Sequence, residues 1–277
     1  MMLRLLLSSA LFFALVVGPS SPLLANYTFD GTNDSIVTAN NAFAEEDIST
    51  FSWSICLKLS AQPGATQMIY TSSTVDGGAT LRGILVTPTG AAAGNFRVGF
   101  YQSHASTAYD KIFTTDISIN AWHQIGLDWN SSAGTDPVFY IDGSAAAGVS
   151  GTAASGLRST GVDTALFGEN IANRLLDFSG KLEEFAFWST RLSSGNWATV
   201  SASGPSSLTT NRIAYVPLRT DAVDSDGAMG ALTVTGATLD SADHCISTAS
   251  RRPVAPIIFG WLKGLLFPFF PGEAYAQ

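Results

Sequence analysis

Residues 120–143 read Asn120-Ala-Trp-His-Gln-Ile-Gly-Leu-Asp-Trp-Asn130, then a connector, then Pro137-Val-Phe-Tyr-Ile-Asp-Gly143. Two short runs rich in aromatic and β-branched residues flank Ser131-Ser-Ala-Gly-Thr-Asp136, a connector with no apolar anchor. The pattern predicts a β-hairpin with a loose tip and a second, tight turn at Asp142-Gly143. In the first strand Ile125, Leu127 and Trp129 share one face, while Gln124 and Asp128 share the other. Alternation of period two predicts a sheet with one buried and one wetter face.

Outward from this hairpin, the chain supplies partners for such a sheet. In residues 50–60, Phe51, Trp53, Ile55, Leu57 and Leu59 alternate with Ser52, Ser54, Cys56, Lys58 and Ser60, as in a core strand of a two-layer sandwich. Further strands are predicted at 67–71, 80–87, 95–101, 109–115, 165–169, 178–189, 212–218 and 231–239. Residues 144–160 are low-complexity Gly, Ala, Ser and Thr, read as loop or weak edge strand. One short helix is predicted after Ser193 or Ser194 as N-cap, with Trp197 and Val200 on one side. Near the start, Asp30, Gly31, Asn33 and Asp34 form a turn between two strands, since Asp and Asn brace turns with their own side chains. A calcium loop is the functional alternative there, although the spacing does not match the 12-residue helix-loop-helix pattern. The expected fold is all-β: a two-sheet antiparallel sandwich with one short helix.

Charge narrows the function. Residues 26–250 carry 10 basic against 21 acidic residues, a net of −11. So acidic a surface repels phosphate backbones and argues against nucleic-acid binding. The two cysteines, Cys56 and Cys245, match no metal motif. Either they form one long-range disulfide in an exported chain, or they are unpaired thiols.

Both ends are apolar. Residues 1–25 carry Arg4, an apolar run of 13 residues at 5–17, a Gly18-Pro-Ser-Ser21 break and Ala25. This is the layout of a secretory signal peptide, and the run is short for a span needing about 20 residues. At the other end Arg251-Arg252 precede an apolar stretch at 254–270, broken by Pro256 and Pro268. Its uninterrupted part, 257–267, would make about 16 Å of helix against a hydrocarbon core of about 30 Å. Three readings stay open for 254–270: an interfacial membrane anchor, a segment docking on a partner, or a buried part of the same domain. The division expected is therefore a signal peptide at 1–25, a sandwich domain at 26–202, a linker with accompanying strands completing the sandwich at 203–250, and a hydrophobic tail at 251–277.

Four stretches together resemble laminin G-like, concanavalin A-like jelly-roll domains. They are Phe29-Asp-Gly-Thr-Asn-Asp-Ser-Ile-Val, Phe51-Ser-Trp-Ser-Ile-Cys-Leu-Lys, Trp122-His-Gln-Ile-Gly-Leu with Phe139-Tyr-Ile-Asp-Gly, and Gly180-Lys-Leu-Glu-Glu-Phe-Ala-Phe-Trp-Ser-Thr-Arg-Leu-Ser. The resemblance covers about residues 26–202. It implies two packed antiparallel sheets and, commonly, glycan binding or adhesion, in a family that also includes glycan hydrolases.

Hydrolysis of a glycosidic bond needs two carboxylates facing each other across a cleft. The jelly-roll glucanases carry them as Glu-x-Asp-x-x-Glu, a string absent here. The nearest acidic pair, Glu183-Glu184, should point to opposite faces of a strand. His104, His123 and His244 sit in no recognisable nucleophile motif, and His123 reads as a strand residue beside Trp122. A noncatalytic module without cofactor is expected. Sugar sites pair polar groups with an aromatic face on loops, and two loops have that mix. They nominate Tyr101, His104 and Tyr109, and Asn170 with Arg174. The expected function is a noncatalytic carbohydrate-binding or adhesion module of an exported or surface-associated protein, with a glycan or surface protein as partner. The alternative is a structural or interaction protein of a cell envelope or virion attached through its hydrophobic C-terminal segment at 254–270.

Overall fold

The computed structural model describes residues 25–38, 48–73, 82–102, 109–130, 136–152, 164–169, 176–219, 223–241 and 243–245. The expected signal peptide, the apolar C-terminal stretch and most of the hairpin tip at 131–136 lie outside them. In chain order the strands are β1 (Asn26–Asp30), β2 (Ser35–Thr38), β3 (Thr50–Lys58), β4 (Gln67–Ser73), β5 (Arg82–Thr87), β6 (Asn95–Gln102), β7 (Tyr109–Phe113), β8 (Ile117–Ser118) and β9 (His123–Asn130). They continue with β10 (Val138–Ile141), β11 (Ser144–Ala145), β12 (Val149–Thr152), β13 (Thr164–Phe167) and β14 (Ser179–Trp188). Helix α1 (Ser194–Ser203) follows, then β15 (Arg212–Val216), β16 (Leu232–Thr235) and β17 (Thr238–Asp240).

Two antiparallel sheets result. One runs β11-β10-β9-β3-β14-β1-β17, with β15 also on β14; the other runs β12-β7-β6-β5-β4-β13-β2-β16, with β8 on β6. The inner faces interdigitate as their alternation requires. Phe51, Trp53, Ile55, Leu57, Ile125, Leu127, Trp129 and Phe185 share one core with Phe96, Val98, Phe100 and Phe167 of the opposite sheet. Phe51 stacks on Phe187 at 5.4 Å and meets Trp129 edge-on at 6.0 Å. The second turn, with Ile141 opposite Ser144 in the β10–β11 hairpin, closes through Asp142 (φ 51°) and Gly143 (φ 79°), the left-handed pair a two-residue turn needs.

The outer face of the first sheet departs from expectation, for it is not wet. Ser52, Ser54, Cys56, Gln124 and Asp128 are all buried. Over β3 and β9 lies α1, capped by Ser193 through its hydrogen bond from the Asn196 N–H. Its Trp197 stacks on Tyr140 at 4.6 Å and joins Trp188, Leu192, Val200 and Tyr215 in a second apolar cluster. Gly126 lets the indole lie on the strand: a Cβ there would stand 2.1 Å from Trp197. Alternation identified the two faces correctly, but it could not show that a helix would cover the second.

The expected strand at 231–239 is also different. Gly236, at φ 75°, breaks it into two short strands that enter different sheets, β16 on β2 and β17 on β1. With β15 on β14, the strands after the helix thus belong to both layers of the sandwich.

Candidate functional site

A row of register partners crosses the outer face of the nine-stranded sheet. It runs Tyr101 (β6), Gly83 (β5), Thr71 (β4), Leu166 (β13) and Val37 (β2). Residues directly opposite in antiparallel strands place their side chains on one face. Tyr101 and Val37 both pack against Leu166. Tyr101 remains partly exposed. The Thr71 hydroxyl donates to the Glu169 carbonyl at 3.1 Å, so the root of the 168–174 loop is tied to the middle of this row. Gly168, at φ 93°, starts that loop in close contact with Phe29 and Asp34. The structure thus brings Tyr101 and the base of the second nominated loop onto one face. Tyr109 lies on β7, its backbone paired with Gln102. His104, Asn170 and Arg174 lie outside the described residues.

The acidic pair is a correction. Opposite β3, Glu183 pairs with Cys56 and Ala186 with Ser54, so β14 carries one extra residue. This bulge holds Glu184 in the left-handed region at φ 57°. Instead of pointing to opposite faces, both carboxylates meet Arg219. Glu183 also accepts from His244 Nδ1 at 2.9 Å and the Cys245 N–H at 2.8 Å; Glu184 accepts from the Tyr215 hydroxyl at 2.7 Å. Burial raises the Glu183 carboxyl above its ordinary value, against the pull of the Cys245 N–H, Arg219 and His244. Both carboxylates are 0% exposed, so no polysaccharide chain reaches them. They hold the bulge. They also hold the C-terminal strap, where Cys245 is disulfide-bonded to Cys56 with Cα atoms 6.0 Å apart, and Asp243 is paired with Lys58.

Near the N-terminus the Asp30 carboxylate accepts the Thr32 N–H at 2.7 Å, and Asp34 accepts the Asp30 N–H. Those bonds brace the turn. Among the described residues no group of three or more His, Cys, Asp or Glu side chains is arranged to hold a metal ion.

Sequence reasoning missed a third constellation. His123, the first residue of β9, donates or accepts at both ring nitrogens: Nδ1 to Asp142 Oδ2 at 2.8 Å, and Nε2 to Ser118 Oγ at 3.0 Å. Asp142 Oδ1 accepts the Gln124 N–H at 2.9 Å. Burial works to raise the Asp142 carboxyl, but the His123 and Gln124 bonds hold it below the ordinary carboxylate range. The group borders an open cavity of about 530 Å³ between β8 and the β10–β11 hairpin. No spacing rule joins Ser118, His123 and Asp142; only the closing of one sheet over the other does.

The model of the concanavalin A-like lectin/glucanases superfamily matches residues 30–196. The chain belongs to that superfamily. Among solved structures, the heptameric SAP-like pentraxin of Limulus polyphemus superposes with a TM-score of 0.54 at 14% identity, over 76% of this chain and 94% of that one. A Bacteroides ovatus protein proposed to bind carbohydrate gives 0.56 at 15% identity, over 82% of this chain and 62% of that one. At such identity these likenesses show the lectin-like fold alone. No curated protein matches the chain.

Proposed function

We propose that the protein is an exported glycan-binding module whose ligand lies on the outer face of the nine-stranded sheet, against Tyr101. One observation carries this reading: a partly exposed aromatic ring, set in a row with Gly83 and Thr71, on the face where the Thr71 hydroxyl meets the Glu169 carbonyl. An aromatic plane packs against the C–H surface of a pyranose ring, while polar groups of the adjoining loops meet its hydroxyls. Asn170, Arg174, His104 and Tyr109, nominated from the sequence, are the residues that would add hydrogen bonds. Membership of a superfamily of lectins and glucanases supports the ligand class, and the burial of Glu183 and Glu184 supports binding without glycosidic cleavage. The Cys56–Cys245 bond supports export, because disulfides persist in oxidising compartments. The apolar 254–270 segment would then hold the module at a membrane surface or on a partner.

A glycan array probed with the purified protein tests the reading. Binding to a defined set of glycans, lost in Tyr101→Ala, is expected. Binding that survives this substitution would move the site elsewhere, and an array with no specific signal would overturn the ligand class.

A further inference from the structure

We propose that Ser118, His123 and Asp142 form an acyl-transfer triad that hydrolyses short-chain carboxylic esters in the cavity beside β8. The site is separate from the Tyr101 face and does not rest on the glycan reading.

The geometry has each part such a triad requires. The nucleophile–base contact is Ser118 Oγ to His123 Nε2 at 3.0 Å, and the base–orienter contact is His123 Nδ1 to Asp142 at 2.8 Å. Asp142 is itself fixed twice over. Its second oxygen takes the Gln124 N–H at 2.9 Å, and its own N–H donates to the Gln124 carbonyl at 2.8 Å. Holding the Asp142–Gly143 turn needs only those two bonds. The histidine between the turn and an exposed serine hydroxyl on the other sheet is not explained by the turn. Ser118 is exposed, while the His123 side chain is only 14% exposed, so the hydroxyl faces solvent and the base is sheltered.

The cavity matches the chemistry. Ile117, Ile141 and Ala146 line it beside Ser118 and His123, giving apolar walls for a short acyl chain. Asn95 also lines it and lies directly opposite Ser118 in the β6–β8 ladder, so both side chains leave the same face. Its amide nitrogen makes only a long contact, 3.4 Å, to the Ala93 carbonyl. It is therefore the donor placed to meet the negative oxygen of a tetrahedral intermediate, as side-chain amides can.

In the first step the Ser118 Oγ–carbonyl bond forms as the hydroxyl proton passes to His123 Nε2. Asp142 holds the resulting imidazolium through Nδ1–H. The ester C–O bond then breaks, and the departing alkoxide takes the Nε2 proton and leaves as alcohol. Water adds to the acyl carbon while giving a proton to His123. Collapse of that second adduct returns the proton to Ser118 Oγ and releases the carboxylic acid. No oxidant, reductant or metal is consumed.

The full-length protein is incubated with p-nitrophenyl acetate and p-nitrophenyl butyrate, and in parallel with a fluorophosphonate probe read by peptide mass. Steady turnover and a single adduct on Ser118 are expected. Turnover should fall about 100-fold or more in both Ser118→Ala and His123→Ala, the scale of a lost nucleophile or general base. Ser118 is exposed, so its alanine variant keeps the fold, which circular dichroism verifies, even if His123→Ala loosens the turn. No turnover, turnover unchanged in Ser118→Ala, or probe adducts confined to other residues would each overturn the proposal.

Discussion

The indole of Trp197 donates from Nε1 to Asp128 Oδ2 at 3.0 Å, joining helix α1 to the outer face of β9 across 69 residues of sequence. The other carboxylate oxygen accepts the Leu192 N–H at 3.1 Å and the Ser52 hydroxyl. Burial pushes the Asp128 carboxyl up, and the Ser52, Trp197 and Leu192 bonds oppose that push. Trp197→Phe keeps most of the ring packing but removes one donor from a buried carboxylate. A loss of about 1–3 kcal/mol is expected in urea unfolding. An unchanged midpoint would show that α1 is held by its apolar contacts alone.

Gly126 is the complementary test of the same contact. In Gly126→Ala the added methyl would collide with Trp197, whose ring is fixed between Tyr140 and Trp188. Overpacking of this kind costs about 1–3 kcal/mol. Near-ultraviolet circular dichroism should report displacement of the indole together with the fall in Tm.

Arg219 neutralises two buried carboxylates, so Arg219→Met leaves Glu183 and Glu184 without their cation. Breaking a buried pair in this way costs about 3–5 kcal/mol. The pH dependence has a definite sign. Glu183 has a folded value raised above 4.5, so its favourable contribution is full below 4.5 and is lost as pH rises through the folded value. Without Arg219 that value rises further, and the variant's deficit should be larger at pH 8 than at pH 5. Denaturant titrations at the two pH values check this.

The Cys56–Cys245 bond closes a loop spanning 189 residues. The chain-entropy model assigns such a loop about 5 kcal/mol, the upper end of what disulfides contribute. Reduction should also loosen the strap at 243–245 that supplies His244 and the Cys245 N–H to Glu183. A drop of about 2–5 kcal/mol on adding reductant is expected, and the Cys245→Ser variant should reproduce it without reductant.

Much of the sandwich was legible because burial on one face writes itself as alternation. Phe51 to Leu59 and Ile125 to Trp129 show it plainly, and so does the Asp142–Gly143 turn. The covered outer face was less legible: Gln124 and Asp128 read as wet because their partners, Trp197 and Leu192, come from a later segment. The bulge at Glu184 gave no signal, since a non-glycine residue at positive φ leaves no mark in the pattern. Nor did Ser118, an isolated serine on a two-residue strand, announce its contact with His123. Tyr101 was legible as an aromatic amid polar residues, but its alignment with Gly83 and Thr71 follows from register across three strands.

The most direct measurement of the central claim is a calorimetric titration of a glycan identified on the array into the wild-type protein and the Tyr101→Ala variant. Losing an aromatic platform should weaken binding at least tenfold, about 1.4 kcal/mol, while the unfolding midpoint stays near that of the wild type. Equal affinities for the two proteins would contradict the placement of the ligand on this face of the sheet.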